Sequence, residues 1–437
     1  MRQFAFVLLA ALAFSMNANS QSPEKLALLW DSEHVSRLAP SDVRHTDLKR
    51  YLDGLRHQGI KVDQVGFSNA SREIYQIEYG TGPLKVLMWS QMHGDEPTAT
   101  SALIDMFAFL RKHRDTAWVK KISETMTIRA VPMLNPDGAE IYHRRNLQDI
   151  DINRDAVELR TPEARLLKQL RDVWNPAIGF NLHNQNALTT VGLSTKQAAI
   201  SLLVVHGDEA KTTSFGHERN ARVAAAITQA LQPFIAGHIG RYDDEWTSSA
   251  FGDNFSAWGT PVILIETGAL VGRDEMYLVR MNFIAFLTAL RSLASGAEKT
   301  QSVAAYWALP ENTSGLLADF VFRRATVASV DDQLASFALA DISAVTLRRR
   351  ASFQAPTIIR SVSEGISARG LAEYDASSFY AVHRYSAVKA GELAELFFYR
   401  RGRAIDWLST EMEKQFPPDA IFSAGKWRTG EGVVPKR

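Results

Sequence analysis

Residues 93–96 read His-Gly-Asp-Glu and follow directly on an apolar, strand-like run at 84–89. A histidine and a glutamate three positions apart can hold one metal ion from a single turn of chain. The same four residues recur at 206–209, again behind an apolar run, so the motif alone leaves both copies open. Catalytic zinc takes three protein ligands and keeps a fourth position for water. His183, which ends a short apolar run at 178–182, offers a third ligand to the first pair. The chain contains no cysteine. A cysteine nucleophile and Cys-ligated zinc are therefore excluded, and any metal site must use His, Asp and Glu.

These residues need a frame. Residues 41–57, 97–113, 161–174, 217–231 and 274–293 carry helical spacing, several with Ser, Thr or Asp at the start and Pro in the first turn. Between them lie strand-like runs at 62–67, 73–78, 84–89, 126–133, 178–182 and 262–265. Strands alternating with long helices predict an α/β domain with helices layered on a central sheet. Three of those strands end at His93, His183 and Glu266, and open α/β sheets bind ligands beyond the carboxyl ends of their strands.

Around that frame the chain divides further. Arg2, the apolar run 4–16 and the small residues 18–20 have the order and length of a signal peptide, so residues 1–20 are expected to be removed on export. The run is short for a membrane span, and a soluble periplasmic or extracellular protein is expected. With 437 residues and a formal net charge of +1, no overall field favours nucleic acid or an anionic membrane. The catalytic domain is expected over 21–295. The polar stretch 294–302 reads as a linker, and 303–437 as a separate β-rich accessory domain, with strands near 317–327, 342–349, 378–382 and 393–399. Every candidate for chemistry precedes Ala294, so that domain is expected to be dispensable for the reaction.

The order of the remaining motifs is more specific than any one of them. After His93 and Glu96 come Arg144-Arg145-Asn146, then Asp151-Ile152-Asn153-Arg154, then His183, then Glu266-Thr267-Gly268 closing a strand. Over about residues 40–295 this set resembles the zinc metallocarboxypeptidases of the carboxypeptidase A type. The resemblance implies a mixed central sheet flanked by helices, one Zn2+ per chain held by His93, Glu96 and His183, and a peptide substrate with a free C-terminal carboxylate. It implies that Asp151 orients the first histidine, that Glu266 is the general base, and that Arg144 faces the developing oxyanion. Asn153 and Arg154 would grip the terminal carboxylate. A slip of one residue would exchange Arg144 with Arg145, which stays a substrate-binding candidate, and Tyr242 is the candidate for the family's mobile tyrosine. His206–Glu209 falls outside the family order and is expected to be a chance repeat on a loop or edge strand. Asp95 stands where carboxypeptidase A has an arginine.

The same metal, base and arginine would serve a zinc amidase acting on cell-wall peptides or N-acyl amino acids. A catalytically inactive peptide- or glycan-binding protein is the third reading. Terminal side-chain preference depends on which residues of 243–258 face inward: Asp253 would favour basic residues, and Phe251 or Phe255 apolar ones.

Overall fold

The computed structural model describes residues 22–330 and 334–437. The expected signal peptide at 1–20 lies outside the described residues.

The first sheet is mixed. Its strands are β1 (Lys61–Phe67), β2 (Glu73–Tyr79), β3 (Leu84–Ser90), β4 (Met126–Val131), β5 (Ile178–Asn184), β7 (Ile200–Val205), β8 (Ile239–Arg241) and β9 (Val262–Thr267), with a two-residue β6 (Thr190–Val191) outside it. They lie in the order β1-β2-β4-β3-β5-β9-β7-β8. The middle of the sheet, β4-β3-β5-β9, is parallel; β1 and β2 run antiparallel to their neighbours, and β7 runs antiparallel to β9 and parallel to β8.

The middle strands are buried on both faces, as parallel strands covered by helices must be. Helices α1 (Pro23–Glu33), α2 (His45–His57), α3 (Thr98–Lys112), α4 (Ala117–Thr125), α5 (Pro136–Ile141), α6 (Pro162–Trp174), α7 (Phe215–Ile235), α8 (Phe251–Ala257) and α9 (Glu275–Ser295) supply that cover. One face packs Val86, Met88, Phe180 and Ile265 against α3, α7 and α9. The other packs Leu87, Trp89 and Leu264 against α6 and α8. Each such side chain, fully buried, contributes roughly 1.5–3 kcal/mol. Helix α9 is long and apolar enough to cross a membrane, but 83% of its apolar window is buried in this core.

The second His-Gly-Asp-Glu, expected on a loop or edge strand, lies in the loop that follows β7. Strand β7 itself runs inside the sheet between β9 and β8.

The second sheet holds β11 (Leu317–Val330), β12 (Ala335–Thr346), β13 (Thr357–Ser363), β14 (Arg369–Asp375), β15 (Phe379–His383), β16 (Leu396–Arg400), β17 (Ala420–Ser423) and β18 (Lys426–Thr429), and has its own core around Phe322 and Phe398. Its predicted start at 303 is displaced. Residues 303–313 pack on the first sheet: Tyr306 is buried there and its hydroxyl accepts the Val204 N–H at 2.9 Å. The short β10 (Asn312–Thr313) pairs with β6.

Candidate active site

Strands β3, β5 and β9 end side by side, and the chemistry sits where they end. Beyond Ser90 the chain turns through Gln91, whose φ of 51° is left-handed. The Gln91 side chain pins the loop from both ends, accepting from the Thr100 hydroxyl at 2.8 Å and donating to the Gly94 carbonyl at 3.0 Å. Gly94 lies against the backbone of Gly138, so close that a Cβ would fall 2.0 Å from the Gly138 carbonyl carbon. Only glycine fits there. The Glu96 N–H then donates to the His93 carbonyl at 3.1 Å, which turns both side chains toward the end of β5.

His183 arrives on β5, in register with Glu266 on β9. His93 Nδ1 lies 2.9 Å from Glu96 Oε1, His183 Nδ1 lies 2.7 Å from Glu96 Oε2, and the two Nδ1 atoms are 3.1 Å apart. All three residues are buried. Among the described residues they form a group able to hold a metal ion. Two ring nitrogens and a carboxylate crowded this closely share one requirement, a positive centre between them. Zinc fits that donor set, since His nitrogen and carboxylate oxygen are its usual ligands in a cysteine-free site.

The surroundings fix this trio. Asp151 Oδ1 accepts from His93 Nε2 at 3.0 Å and from the Asn153 N–H at 2.9 Å, so it caps the 3₁₀ turn Ile152–Arg154 while it orients the ring. Arg144 reaches Glu96 Oε1 through Nη1 at 3.0 Å and Asp151 Oδ2 through Nη2 at 3.0 Å. Burial disfavours charge on His93, but Glu96 and Asp151 outweigh it and push the ring up to about 9. Burial opposes ionisation of Glu96 as well, yet the two histidines hold it well below the usual carboxylate range. Glu266 goes the other way: burial and then the Glu96 charge raise its carboxyl well above that range. Its Oε2 is buried with no hydrogen-bond partner.

A cavity of about 430 Å³ opens onto the trio. His93, Glu96, His183, Arg144, Asn153, Arg154, Tyr242 and Glu266 all line it. Asn153 accepts the Phe251 N–H through Oδ1 at 2.9 Å, and Arg154 is exposed, bonded to the Asn153 carbonyl at 2.9 Å. The Glu266 charge, then burial, holds the Tyr242 hydroxyl protonated well above its ordinary range. Of the candidates, Asp151 and Arg145 do not line this cavity: Asp151 stands behind His93, and Arg145 points away. It sits exposed on the next turn, where it donates to the Asp149 carbonyl at 2.8 Å. The tight turn closed by Asn146 Oδ1, which accepts the N–H groups of Gln148 and Ile150, faces Arg144 inward and its neighbour outward.

Of the 243–258 segment, Phe251 and Phe255 turn into the core beside Trp89, whereas Asp253 lines the cavity together with Asp243 and Glu245. His206 and Asp208 reach the far wall of the same cavity. The His206 ring stacks on His217 at 4.0 Å, remote from the trio's hydrogen bonds. Two features were not read from the sequence. The Asn184 N–H donates to Glu96 Oε2 at 3.1 Å, a backbone contact without a residue-type signature. Arg348, from the loop between β12 and β13, donates to the carbonyls of Asp95 at 3.3 Å and Gln185 at 3.1 Å. The rim of the site is therefore not confined to residues before Ala294.

Residues 48–214 match the family model described as zinc carboxypeptidase. The probable carboxypeptidase 2 of Arthroderma benhamiae is 26% identical over 202 residues, covering 44% of this chain and 36% of that protein. Carboxypeptidase 2 of Trichophyton rubrum is 30% identical over 202 residues, 44% of this chain and 35% of that one. The chain thus spans about a third of the length of these curated relatives. Among solved structures, a metallo-carboxypeptidase from Burkholderia cenocepacia superposes with a TM-score of 0.47 and 16% identity, over 58% of this chain and 69% of that one.

Proposed function

We propose that this chain, whose residues 48–214 match the zinc carboxypeptidase family model, is an exported zinc-dependent carboxypeptidase that hydrolyses the last peptide bond of a peptide. The observation that carries this reading is the convergence of His93, Glu96, His183, Glu266, Asn153 and Arg154 on one cavity. His93, Glu96 and His183 would hold one ion per chain. When bound, zinc supplies Lewis acidity, polarising a carbonyl and making a water more acidic.

The protein's own groups do the rest. Glu266 takes the proton of the attacking water and hands it to the departing amine; its buried, unpartnered oxygen and raised proton affinity suit that exchange. Arg144 brings a fixed positive charge toward the oxygen that becomes negative. Arg154, whose guanidinium is exposed, matches the two oxygens of a terminal carboxylate, and Asn153 adds its amide donor. Tyr242 closes the wall beside Glu266. Asp253, Asp243 and Glu245 make a basic terminal side chain the one that the charge of the cavity favours. The leader-like residues 1–20 support export to the periplasm or beyond the cell.

The test is incubation of zinc-loaded protein with plain peptides, N-acyl amino acids and cell-wall muropeptides, with products followed by mass spectrometry. Release of single C-terminal residues from plain peptides, Lys and Arg fastest, is expected. Cleavage restricted to acyl amino acids or muropeptides would make the protein an amidase. Binding without cleavage of any of them would make it a binding protein.

A further inference from the structure

A second cavity, of about 770 Å³, opens from the first and shares Glu96, Arg144 and Asn184 with it. Its outer wall comes from the C-terminal region, through Arg348 and Arg349 of the β12–β13 loop and Arg360 of β13. Asn153, Arg154 and Asp253 line the first cavity alone, and the three arginines line the second alone. Glu96 lies where the two meet. We propose that this second cavity receives the part of the peptide preceding the scissile bond, and that Arg348 there binds an acidic side chain within two residues of that bond. The proposal rests on the carboxypeptidase reading above: a terminal residue seated against Asn153 and Arg154 sends the rest of its chain past Glu96 into this space.

Charge is the first argument. Arg348 bonds two backbone carbonyls and Arg360 bonds the Leu317 carbonyl at 2.9 Å. Among the described residues none of the three arginines has an ion-pair partner. Of the acids in the same wall, Glu275 accepts from Ser41 N and Oγ, Asp319 accepts from the Thr346 N–H at 2.7 Å, and Glu96 is held by the two histidines and Arg144; Asp95 also lies there, within the field of Arg348 but in no ion pair with it. A cation held by neutral carbonyls keeps its charge for an incoming anion.

Rigidity is the second. The chain that carries Arg348 is fastened to the first domain just beyond it. Arg350 is buried and donates to the carbonyls of Ser41 at 2.9 Å and Glu140 at 3.0 Å. Ala351 N donates to Ser41 Oγ at 2.9 Å, and Ser352 N to Asp42 Oδ1 at 2.9 Å. An arginine placed in advance loses little freedom when a ligand arrives.

The test uses the zinc-loaded full chain carrying Glu266→Gln, with binding measured by calorimetry. Two pairs of peptides share a C-terminal residue and differ by Glu or Gln at the first or the second residue before the scissile bond. In at least one pair the Glu peptide should bind about tenfold more tightly, as for a charge-assisted hydrogen bond, and the advantage should shrink in high salt. Adding Arg348→Gln should equalise the pair, Arg348→Glu should reverse it in favour of Gln, and Arg428→Gln, at an exposed position of β18, should leave it as it was. Equal binding in both pairs, or a preference that survives Arg348→Gln, overturns the proposal. Hydrolysis of the same peptides by the unsubstituted protein separates the two readings. Cleavage without discrimination sinks only the Arg348 assignment, and discrimination without cleavage sinks only the carboxypeptidase assignment.

Discussion

His93 Nε2 lies 3.0 Å from Asp151 Oδ1, and the same carboxylate caps the turn that presents Asn153 and Arg154. One acid therefore couples the orientation of a candidate ligand to the position of the candidate carboxylate clamp. Outer partners of this kind fix the tautomer of a ligating ring and raise its basicity. Asp151→Asn should weaken zinc binding about 10–100-fold, measured by competition with a chromophoric chelator. Unchanged affinity would reduce Asp151 to a helix cap.

The two copies of His-Gly-Asp-Glu should behave differently. His93→Ala should abolish stoichiometric zinc, and His206→Ala should retain about one ion per chain, as a three-ligand site requires. Metal analysis after dialysis reads both. Loss of zinc in the His206 variant alone would assign the site to the wrong copy.

Glu266→Gln keeps the shape of the side chain and removes the proton acceptor. Zinc content should hold, and kcat should fall roughly 10²–10⁴-fold, the usual loss with a general base. Near-normal turnover would take Glu266 out of the mechanism; lost zinc would make it a ligand.

Tyr306→Phe should destabilise the protein without touching the site. The pairing of β8 with β7 ends at Leu202, and beyond it the Val204 N–H is met by the buried Tyr306 hydroxyl. Leaving that donor unpaired costs about 1–3 kcal/mol, read from the midpoint of urea unfolding. The same contact means that a chain ending at Gly296 should unfold at lower denaturant than the full chain. Equal midpoints would mean that residues 303–313 are mere linker.

Burial, and then the charge of His206 alongside, pushes the buried His217 ring down to about 4. The unfolded chain therefore takes up a proton on this residue from near pH 6.5, while the folded chain resists until near 4. Between those values the unfolded state binds more protons, so stability rises with pH and is lost as pH falls from 6.5 toward 4. Melting temperatures from pH 4.5 to 7.5 should decline less steeply for His217→Gln than for the parent. Parallel curves would show that His217 carries none of the acid sensitivity.

Much of the fold was legible because its signals are local. The helix predicted at 97–113 appears as Thr98–Lys112, and the strand at 84–89 as Leu84–Ser90. The misses have physical causes. Helix α4 is only nine residues long and buries just Val119 and Ile122, too few apolar positions to show a period. Residues 303–313 look like linker by composition, yet one tyrosine hydroxyl and a two-residue strand tie them to the first sheet.

By itself the sequence determined the donor set. It contains no cysteine, it places His93, Glu96, His183 and Glu266 at the ends of apolar strands, and it orders the arginines and asparagine between them. Residue type and strand period are written one position at a time, so they can be read without coordinates. Motif order already favoured the first His-Gly-Asp-Glu and Arg144; tertiary structure brought that copy to His183 and turned Arg144 to the cavity, and it alone decided that Arg348 comes to the rim. Each of those outcomes depends on strand order, on one tight turn, or on the docking of a distant loop through Arg350. Contacts between residues far apart in the chain are fixed by packing, and a linear pattern carries no record of them.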